Sequence, residues 1–194
     1  MGAIAIVVEG QGDEEALPIL VRAILASAQI WDVTVANPVR LHRGHFPRPE
    51  RLRRAAKFAL DQEADADQAL LVMCDADDDC PVDLAAEWAN ALAGLEPFSV
   101  VLANREYEAW LLASQETLHS RRHIPQLERF DGDPDAVRDA KGRISSAIGR
   151  RYMEVVDQPG FTAHVDLELA ESRSRSFQKF RKEVLRLAGA VREP

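Results

Sequence analysis

Residues 68–80 read QALLVMCDADDDC, and this stretch decides the fold that we predict for the chain. Five apolar residues, Ala69 to Met73, are followed by Cys74 and by an acidic cluster that begins at Asp75. A short apolar run that ends in a polar cluster is typical of a strand buried on both faces. Open α/β sheets bind their ligands at the carboxyl ends of such strands, so we expect these acids to lie where a ligand would bind.

The acidic cluster itself indicates a cation. Four of the five residues 75–79 are aspartates, which repel one another unless they are solvated, protonated or bound to a cation. Asp75 and Asp77 are two residues apart, so in extended geometry both carboxylates point the same way and suit one hard cation such as Mg²⁺. The alternative is a solvated loop that supplies an N-cap for the next helix, at Asp79 or Asp83.

A second buried strand is predicted at Ala3 to Val8, and an acidic turn, Glu9-Gly10-Gln11-Gly12-Asp13, follows it at once. Glycines in such a turn permit a positive φ or the close approach of a ligand. Asp13 can cap the helix that follows, whose apolar stripe runs from Leu17 to Leu25. The sequence lacks the third glycine of a dinucleotide-binding fingerprint here, which disfavours a Rossmann cofactor site.

Strands and helices alternate along the first part of the chain. Further strands are predicted at Trp31 to Ala36 and at Phe98 to Ala103, with helical patterns between them. This order predicts an α/β fold with a mostly parallel central sheet of about four strands and helices on both faces. We expect a C-terminal helical extension with a turn at Gln158-Pro159-Gly160 and a last helix from about Ser174 to Gly189.

Length and composition limit the possible classes. The 194 residues suit a single domain, 1–194, with a core of about 1–115 and a helical extension of about 116–194. The net charge of −8 argues against a general nucleic-acid coat protein or a binder of anionic membranes. It does not exclude an enzyme that brings divalent cations to a phosphodiester, because such a site is itself acidic.

The sequence predicts no membrane attachment and a cytoplasmic location. The apolar run from Ala3 to Val8 is too short for a membrane span and lacks the basic region of a secretory signal. Cys74 and Cys80 match no zinc pattern, so free thiols in a reducing cytoplasm are expected.

Basic residues concentrate in one loop and in the helix that follows it, predicted at about Pro49 to Asp65. Two interpretations fit this segment: a solvated helix face, or a track for the phosphate backbone of a nucleic acid. The basic residues are Arg40, His42, Arg43, His45, Arg48, Arg51, Arg53, Arg54 and Lys57.

Acids that are far apart in the chain are expected to meet. Glu9, Asp75 and Glu106 each follow a predicted strand, and the carboxyl ends of parallel strands share one edge of a sheet. Glu106 and Glu108 flank the start of a helix, where a favourable interaction with the helix dipole accounts for one of them. The alternative is that one of these two glutamates binds a metal ion directly or supports its ligands. For the aspartate cluster, the shared edge favours a metal site over a solvated loop.

These motifs resemble a known fold. Glu9-Gly10 after the first strand, with Asp75-x-Asp77 after a later one, resembles the Toprim fold of topoisomerases, bacterial primases and the overcoming-lysogenization-defect nucleases. The additional acid Asp13 is more similar to the nuclease branch. Nearly the whole chain resembles a Toprim-related family catalogued as domain of unknown function 4276. The segments that carry this second resemblance are Arg105 to Trp110, Lys141, Val156 to Pro159 and Ser174 to Phe177.

The resemblance implies a Toprim-like, Rossmann-like sheet and a site that depends on Mg²⁺ or Mn²⁺. It implies that Asp75 and Asp77 hold the cation, and that Glu9 acts as a metal ligand or as the general acid/base. It also implies that Asp13 helps to hold a second cation. The predicted metal ligands are therefore Glu9, Asp13, Asp75 and Asp77, together with Glu106 from the shared edge of the sheet. Lys141 is the further catalytic candidate, as a cation that stabilises the charged transition state.

Three functions are compatible with these residues. The first is a Mg²⁺- or Mn²⁺-dependent nuclease or phosphoryl-transfer enzyme acting on nucleic acid, DNA rather than RNA. The second is a non-catalytic Toprim-like interaction module that works with a separately encoded ATPase, since no ATPase or topoisomerase domain is attached. The third is a receiver-like phospho-acceptor, which is disfavoured because the acid pair would then follow the first strand.

Overall fold

The computed structural model describes residues 1–62, 64–120 and 126–192 and contains a parallel central sheet. The strand order is β2-β1-β4-β5, and a short strand, β3, pairs with β1 outside this path. Every pairing among these strands is parallel. The predicted α/β fold with a mostly parallel sheet is therefore confirmed. The strands are β1 (Gly2–Val8), β2 (Val33–Val35), β3 (Val39–Arg40), β4 (Asp67–Asp75) and β5 (Phe98–Ala103).

Helices connect the strands and make up the C-terminal part of the chain. Short 3₁₀ turns lie at Arg43–His45, Gln115–Ser120 and Pro134–Ala136. The described helices are α1 (Gln11–Ser27), α2 (Pro49–Asp61), α3 (Pro81–Leu92), α4 (Glu108–Ala113), α5 (Ala140–Ile148), α6 (Glu154–Thr162), α7 (Leu167–Arg173) and α8 (Arg175–Ala190). No helix within the described ranges combines the length and the apolar character that a membrane crossing requires.

The sheet is covered on both faces, which explains the unbroken apolar runs of its central strands. Ile4 and Ile6 of β1 belong to the core cluster formed with α1 and α8, whereas Ala5 and Val7 belong to the cluster formed with α2 and α3. Successive side chains of a strand point to opposite faces, so both faces of β1 must be apolar. All seven residues of β1 are buried.

The last helix, α8, packs along β5 and runs in the opposite direction. Its N-cap is Ser174, whose hydroxyl accepts a hydrogen bond from the amide of Phe177 at 3.0 Å. Towards its other end, Arg186 Nη2 donates to the carbonyl of Phe98 at the start of β5, at 2.7 Å. The N-terminus of α8 therefore lies near the carboxyl end of β5. The proposed division into a core and an extension stays a prediction.

Two local predictions are wrong. The turn expected at residues 158–160 is part of α6, although Pro159 lies inside that helix and removes one hydrogen bond. Phe161 of α6 is fully packed into the core and the helix lies against α1, so tertiary packing outweighs the local signal. The strand predicted at Trp31 to Ala36 is shortened to β2, and Trp31 is 75% exposed.

Candidate functional site

A small acidic cavity lies at the carboxyl ends of β1 and β4, which are neighbours in the sheet. Its volume is about 110 Å³. Two strand ends, the first turn of α1 and the more distant helices α4, α5 and α6 all contribute to it. The residues that line this acidic cavity are Glu9, Gly10, Asp13, Asp75, Tyr107, Glu108, Lys141, Glu154 and Gln158.

Asp75 is the last residue of β4, and its carboxylate points into the acidic cavity. Its Oδ1 accepts a hydrogen bond from the backbone amide of Tyr107 at 2.8 Å. Burial raises the pKa of Asp75 well above its ordinary range, and the nearby charges of Asp13 and Glu108 raise it further. The charged form of Asp75 is therefore disfavoured by burial and by its acidic neighbours, although Lys141 partly compensates it.

Asp13 faces the same cavity from the first turn of α1. The expected N-cap role is wrong, because Gly10 is the N-cap and Asp13 is the third helical residue. Its Oδ2 accepts from the amide of Gly10 at 2.9 Å, and its Oδ1 accepts from Gln158 Nε2 at 2.7 Å. Burial raises the pKa of Asp13, and the hydrogen bond from Gln158 offsets part of that effect.

Glu9 follows β1 and sits at the rim of the cavity. Its Oε2 accepts a hydrogen bond from the Cys74 thiol at 2.7 Å and lies 3.3 Å from Arg43 Nη1. Arg43 also donates to the backbone carbonyl of Asp75, so one guanidinium links the ends of both strands. Burial, reinforced by the charge of Glu9, raises the pKa of Cys74 and keeps it a neutral donor.

The positively charged side chain of Lys141, from helix α5, also lines the cavity. Lys141 Nζ lies 2.8 Å from Glu154 Oε1 and 4.0 Å from Glu108 Oε2. Glu108 is 1% exposed, and its carboxylate interacts with the Tyr152 hydroxyl and with the Lys141 ammonium group. Burial raises the pKa of Glu108 to about 7, although Lys141 lowers it. The Lys141 charge is itself stabilised by these acids, which raise its pKa against the effect of burial.

Two of the predicted metal ligands lie outside this cavity. Asp77 has a φ of +51°, so the chain leaves the extended geometry directly after β4, and its carboxylate pairs with Arg43 at 3.3 Å. The expectation that Asp75 and Asp77 point the same way is therefore wrong. Glu106 Oε2 accepts from the amide of Lys141 at 3.2 Å. Asp77 and Glu106 instead line an adjoining open depression together with Arg105 and Arg138.

The donor chemistry of the acidic cavity fits a hard divalent cation. Every acidic group that lines it offers carboxylate oxygens, which are the ligands that Mg²⁺ and Mn²⁺ prefer. The buried Glu108 carboxylate, whose Oε2 forms no geometrically regular hydrogen bond within the described residues, provides an acceptor that a cation would satisfy. In the described part of the chain, no three Asp, Glu, His or Cys side chains already form a coordination group. Cation binding would therefore require side-chain rotation.

Sequence reasoning missed part of this site. Glu154 and Gln158 were not candidates, because the segment that carries them was expected to contain a turn and not the helix α6. The role of Glu108 was open, although it lies only two residues after Glu106. The acidic first turn of α6, formed by Glu154 and Asp157, is a signal that could have located this helix.

Comparison with known proteins gives one family assignment. The model of a family described as "Domain of unknown function (DUF4276)" matches residues 8–185. No curated protein and no solved structure matches the chain.

Proposed function

This chain belongs to the domain-of-unknown-function family DUF4276, and we propose that it is a Toprim-type nuclease or phosphoryl-transfer enzyme that acts on nucleic acid with Mg²⁺ or Mn²⁺. The observation that carries this proposal is the convergence of Glu9, Asp13 and Asp75 in one cavity at the carboxyl edge of the parallel sheet. Glu9 and Asp75 come from two strand ends that are 66 positions apart (75 − 9), and Asp13 comes from the first turn of α1. Collecting like charges in one cavity does not stabilise the fold.

Electrostatics supports a cation in the acidic cavity. The pKa values of Asp13, Asp75 and Glu108 are all raised, in each case mainly by burial. A divalent cation would favour their charged forms and relieve their mutual repulsion. Asp13 and Asp75 would bind the cation, and Glu9 and Glu108 line the same cavity as additional candidate ligands. Asp77 and Glu106 are the remaining candidate ligands and would have to turn inward from the adjoining depression.

The residues of the chain then have distinct roles. When bound, the cation supplies Lewis-acid polarisation of a phosphoryl oxygen and activation of a water molecule. Lys141, already held by Glu154, provides a fixed positive charge for the negative charge that develops on the phosphoryl group. The resemblance to the Toprim fold supports Glu9 as the general acid/base, and its carboxylate lines the cavity, where Oε2 accepts from the Cys74 thiol.

A basic surface on α2 supports nucleic acid as the substrate. Arg43 contacts Glu9 at the cavity, and the helix α2 begins six residues later. α2 buries Leu52 and three alanines against the sheet, which leaves its basic side chains on the outer face. Arg53 is used within the fold, since it donates to the carbonyl of Ala93 at 2.7 Å. The exposed side chains of Arg51, Arg54 and Lys57 are available to bind the phosphate backbone of a nucleic acid.

The decisive experiment is a cleavage assay in which Asp75 is replaced. Plasmid DNA, single-stranded DNA and RNA are incubated with the purified protein and Mn²⁺ or Mg²⁺, with EDTA as the metal-free reference. We expect metal-dependent cleavage that Asp75→Asn lowers about 100-fold or more, since several kcal/mol of charge stabilisation are lost. Asp67→Asn is the matched control, because Asp67 is an exposed residue at the opposite end of the same strand.

Two outcomes of this assay would decide against the mechanism. Cleavage that survives Asp75→Asn, or that continues in EDTA, rules out a cation held at the acidic cavity. Asp77→Asn separates two arrangements of the ligands: retained cleavage means that the acidic cavity alone holds the cation, and lost cleavage means that Asp77 turns inward.

A second candidate is a non-catalytic Toprim-like module that binds a separately encoded ATPase. Two observations favour it: the described residues contain no preformed metal group, and three apolar side chains next to the cavity are uncovered. Met153, Val155 and Val156 are 51%, 47% and 57% exposed and flank Glu154. Co-purification with one ATPase, abolished by Val156→Asp, together with absence of metal binding in calorimetry, would select this function.

We assign either activity to the cytoplasm. Both cysteines are free thiols, with Cys74 buried and Cys80 exposed. An exposed thiol next to an acidic loop persists in a reducing compartment. Fractionation of cells that express the tagged protein is the direct check.

A further inference from the structure

A second and larger cavity lies beside the outer edge of the sheet. Its volume is about 560 Å³, within the range of roughly 300–1,000 Å³ that is usual for small-molecule sites. β5 ends the strand order, so the cavity lies next to a strand edge that pairs with no strand in the described residues. We call it the edge cavity. Pro81, Val82, Ala85, Leu102, Asn104, Asp133, Asp135, Arg175, Ser176 and Lys179 line it.

One wall of the edge cavity is apolar. Pro81, Val82 and Ala85 come from the first turns of α3, and Leu102 comes from the end of β5. Val82 is 72% exposed, so its side chain is accessible to a ligand in the cavity. Apolar walls with a few convergent polar groups are typical of ligand sites, and a flat apolar ring suits this wall.

The opposite wall carries two cations that are available for a ligand. Arg175 and Lys179 are four residues apart on α8, so their side chains lie on the same face of the helix. Neither forms a hydrogen bond or an ion pair with any residue that the structure describes. Both are exposed, so their positive charges face the cavity and the solvent.

The acids in the same cavity are already used within the fold. Asp135 accepts hydrogen bonds from the hydroxyls of Ser174 and Ser176 at 2.8 and 2.7 Å, and from the amide of Ser176 at 3.0 Å. Asp133 accepts from the amide of Asp135 at 2.9 Å. The amides of Ser176 and Phe177 in the first turn of α8 already donate within the fold, so the side chains of Arg175 and Lys179 would hold an anion.

We propose that the edge cavity binds a nucleotide, with its base against the apolar wall and its phosphate on Arg175 and Lys179. Asn104 offers a side-chain amide with both donor and acceptor groups, which suits the edge of a base. The ligand is either a free nucleotide or one nucleotide unit of a single strand, since both present the same chemistry. This inference goes beyond the proposed function, because it requires neither a bound cation nor cleavage.

The test is calorimetric titration of the full-length protein in EDTA. The probes are the nucleoside monophosphates, the matching nucleosides, inorganic phosphate and a short single-stranded oligonucleotide. We expect a monophosphate or the oligonucleotide to bind about tenfold or more tightly than nucleoside or phosphate alone, since both walls contribute. Binding by the oligonucleotide but not by the monophosphates identifies a strand as the source.

Variants of exposed residues connect the binding to the edge cavity. Arg175→Ala/Lys179→Ala and, separately, Val82→Asp are expected to weaken binding about tenfold or more, while circular dichroism shows the native fold. Arg143→Ala is the matched control, because this exposed cation of α5 lines neither the edge cavity nor the depression that Arg175 and Lys179 share with Lys182. Asp75→Asn is expected to retain binding, which separates this inference from failure of the proposed enzyme. Absence of binding by every probe, or binding unchanged in both cavity variants, would overturn it.

Discussion

At the scale of single residues, Glu108 has the most unusual surroundings among the residues of the acidic cavity. It is 1% exposed, and burial raises its pKa from the ordinary value of 4.5 to about 7. Between these two values the folded protein keeps a proton that the unfolded chain releases. The free energy of unfolding therefore decreases as the pH rises through this window, and the stability is fully present only below it.

We expect Glu108→Gln to remove this pH dependence in the cation-free protein. At about pH 8 the variant should be more stable than the wild type by on the order of 3 kcal/mol, and at about pH 4.5 the two should be similar. Lys141 keeps its partner Glu154 at 2.8 Å, so the substitution leaves no unpaired ammonium group. Urea unfolding across this pH range is the measurement.

The control for this prediction is Glu87→Gln, the same substitution at an exposed position of α3. It should follow the wild-type profile at every pH. An unchanged profile in Glu108→Gln would mean that Glu108 is charged throughout and is compensated by its neighbours.

The two cysteines should differ sharply in reactivity. Burial, together with the charge of Glu9, raises the pKa of Cys74, so the reactive thiolate does not form in the folded protein. Cys80 is exposed after the acidic loop. We expect a maleimide to modify the native wild type once, at Cys80, and the native Cys80→Ser variant not at all. Mass spectrometry after labelling checks this, and native labelling of Cys74 would contradict the closed Glu9–Cys74 contact.

At the scale of elements, the contact between α1 and α6 builds one wall of the acidic cavity. Gly12 of α1 faces α6, where an added Cβ would lie 2.0 Å from Gln158 Oε1 and 3.2 Å from the carbonyl of Glu154. The first atom belongs to a side chain, but that side chain donates to Asp13 at 2.7 Å. The two helices thus approach closely because residue 12 has no side chain.

We therefore expect Gly12→Ala to lower the free energy of unfolding by about 1–3 kcal/mol, because α6 must move away or Gln158 must release Asp13. Gly189→Ala is the matched control in α8, where no atom lies within 4 Å of the added Cβ. The control should be neutral or stabilising by about 0.5–1 kcal/mol. Equal stability of the two variants in urea would show that α1 and α6 pack less closely than described.

At the scale of the whole molecule, a cation in the acidic cavity would tie distant parts of the chain together. Glu9 and Asp75 follow the strands β1 and β4, whereas Lys141 and Glu154 come from the helices α5 and α6. A ligand that binds only the folded state stabilises it by about 2.7 kcal/mol at a concentration of 100 times its Kd. Cation binding should therefore be visible as a global increase in stability.

We expect Mn²⁺ to raise the melting temperature of the wild type and of Asp67→Asn, but not that of Asp75→Asn. Asp75→Asn should itself melt at or above the wild-type temperature without metal, because it removes a buried charge with a raised pKa. Differential scanning fluorimetry in Mn²⁺ and in EDTA is the measurement. An equal Mn²⁺ shift in Asp75→Asn would place the cation outside the acidic cavity and contradict the proposed catalytic site.

The sequence by itself determined the layered core of this protein. β1 and β4 contain the apolar runs Ala3 to Val8 and Ala69 to Met73, and β5 contains the segment Phe98 to Ala103, which is apolar except for Ser99. Such runs are stable only between two apolar layers, and the alternation with helices makes the strands parallel. It follows from the same local pattern that Glu9 and Asp75 share one edge of the sheet, as both line the acidic cavity.

Only the tertiary structure decided which acids face into that cavity. Asp77 turns away because its φ is +51°, and Gln158 reaches Asp13 across 145 positions of the chain. The spacing of apolar residues along the sequence indicates which face of a helix or strand is buried, and this spacing is a local property of the sequence. The direction of a polar side chain after a strand depends on turn torsions and on partners from remote helices, and no spacing in the sequence encodes those contacts.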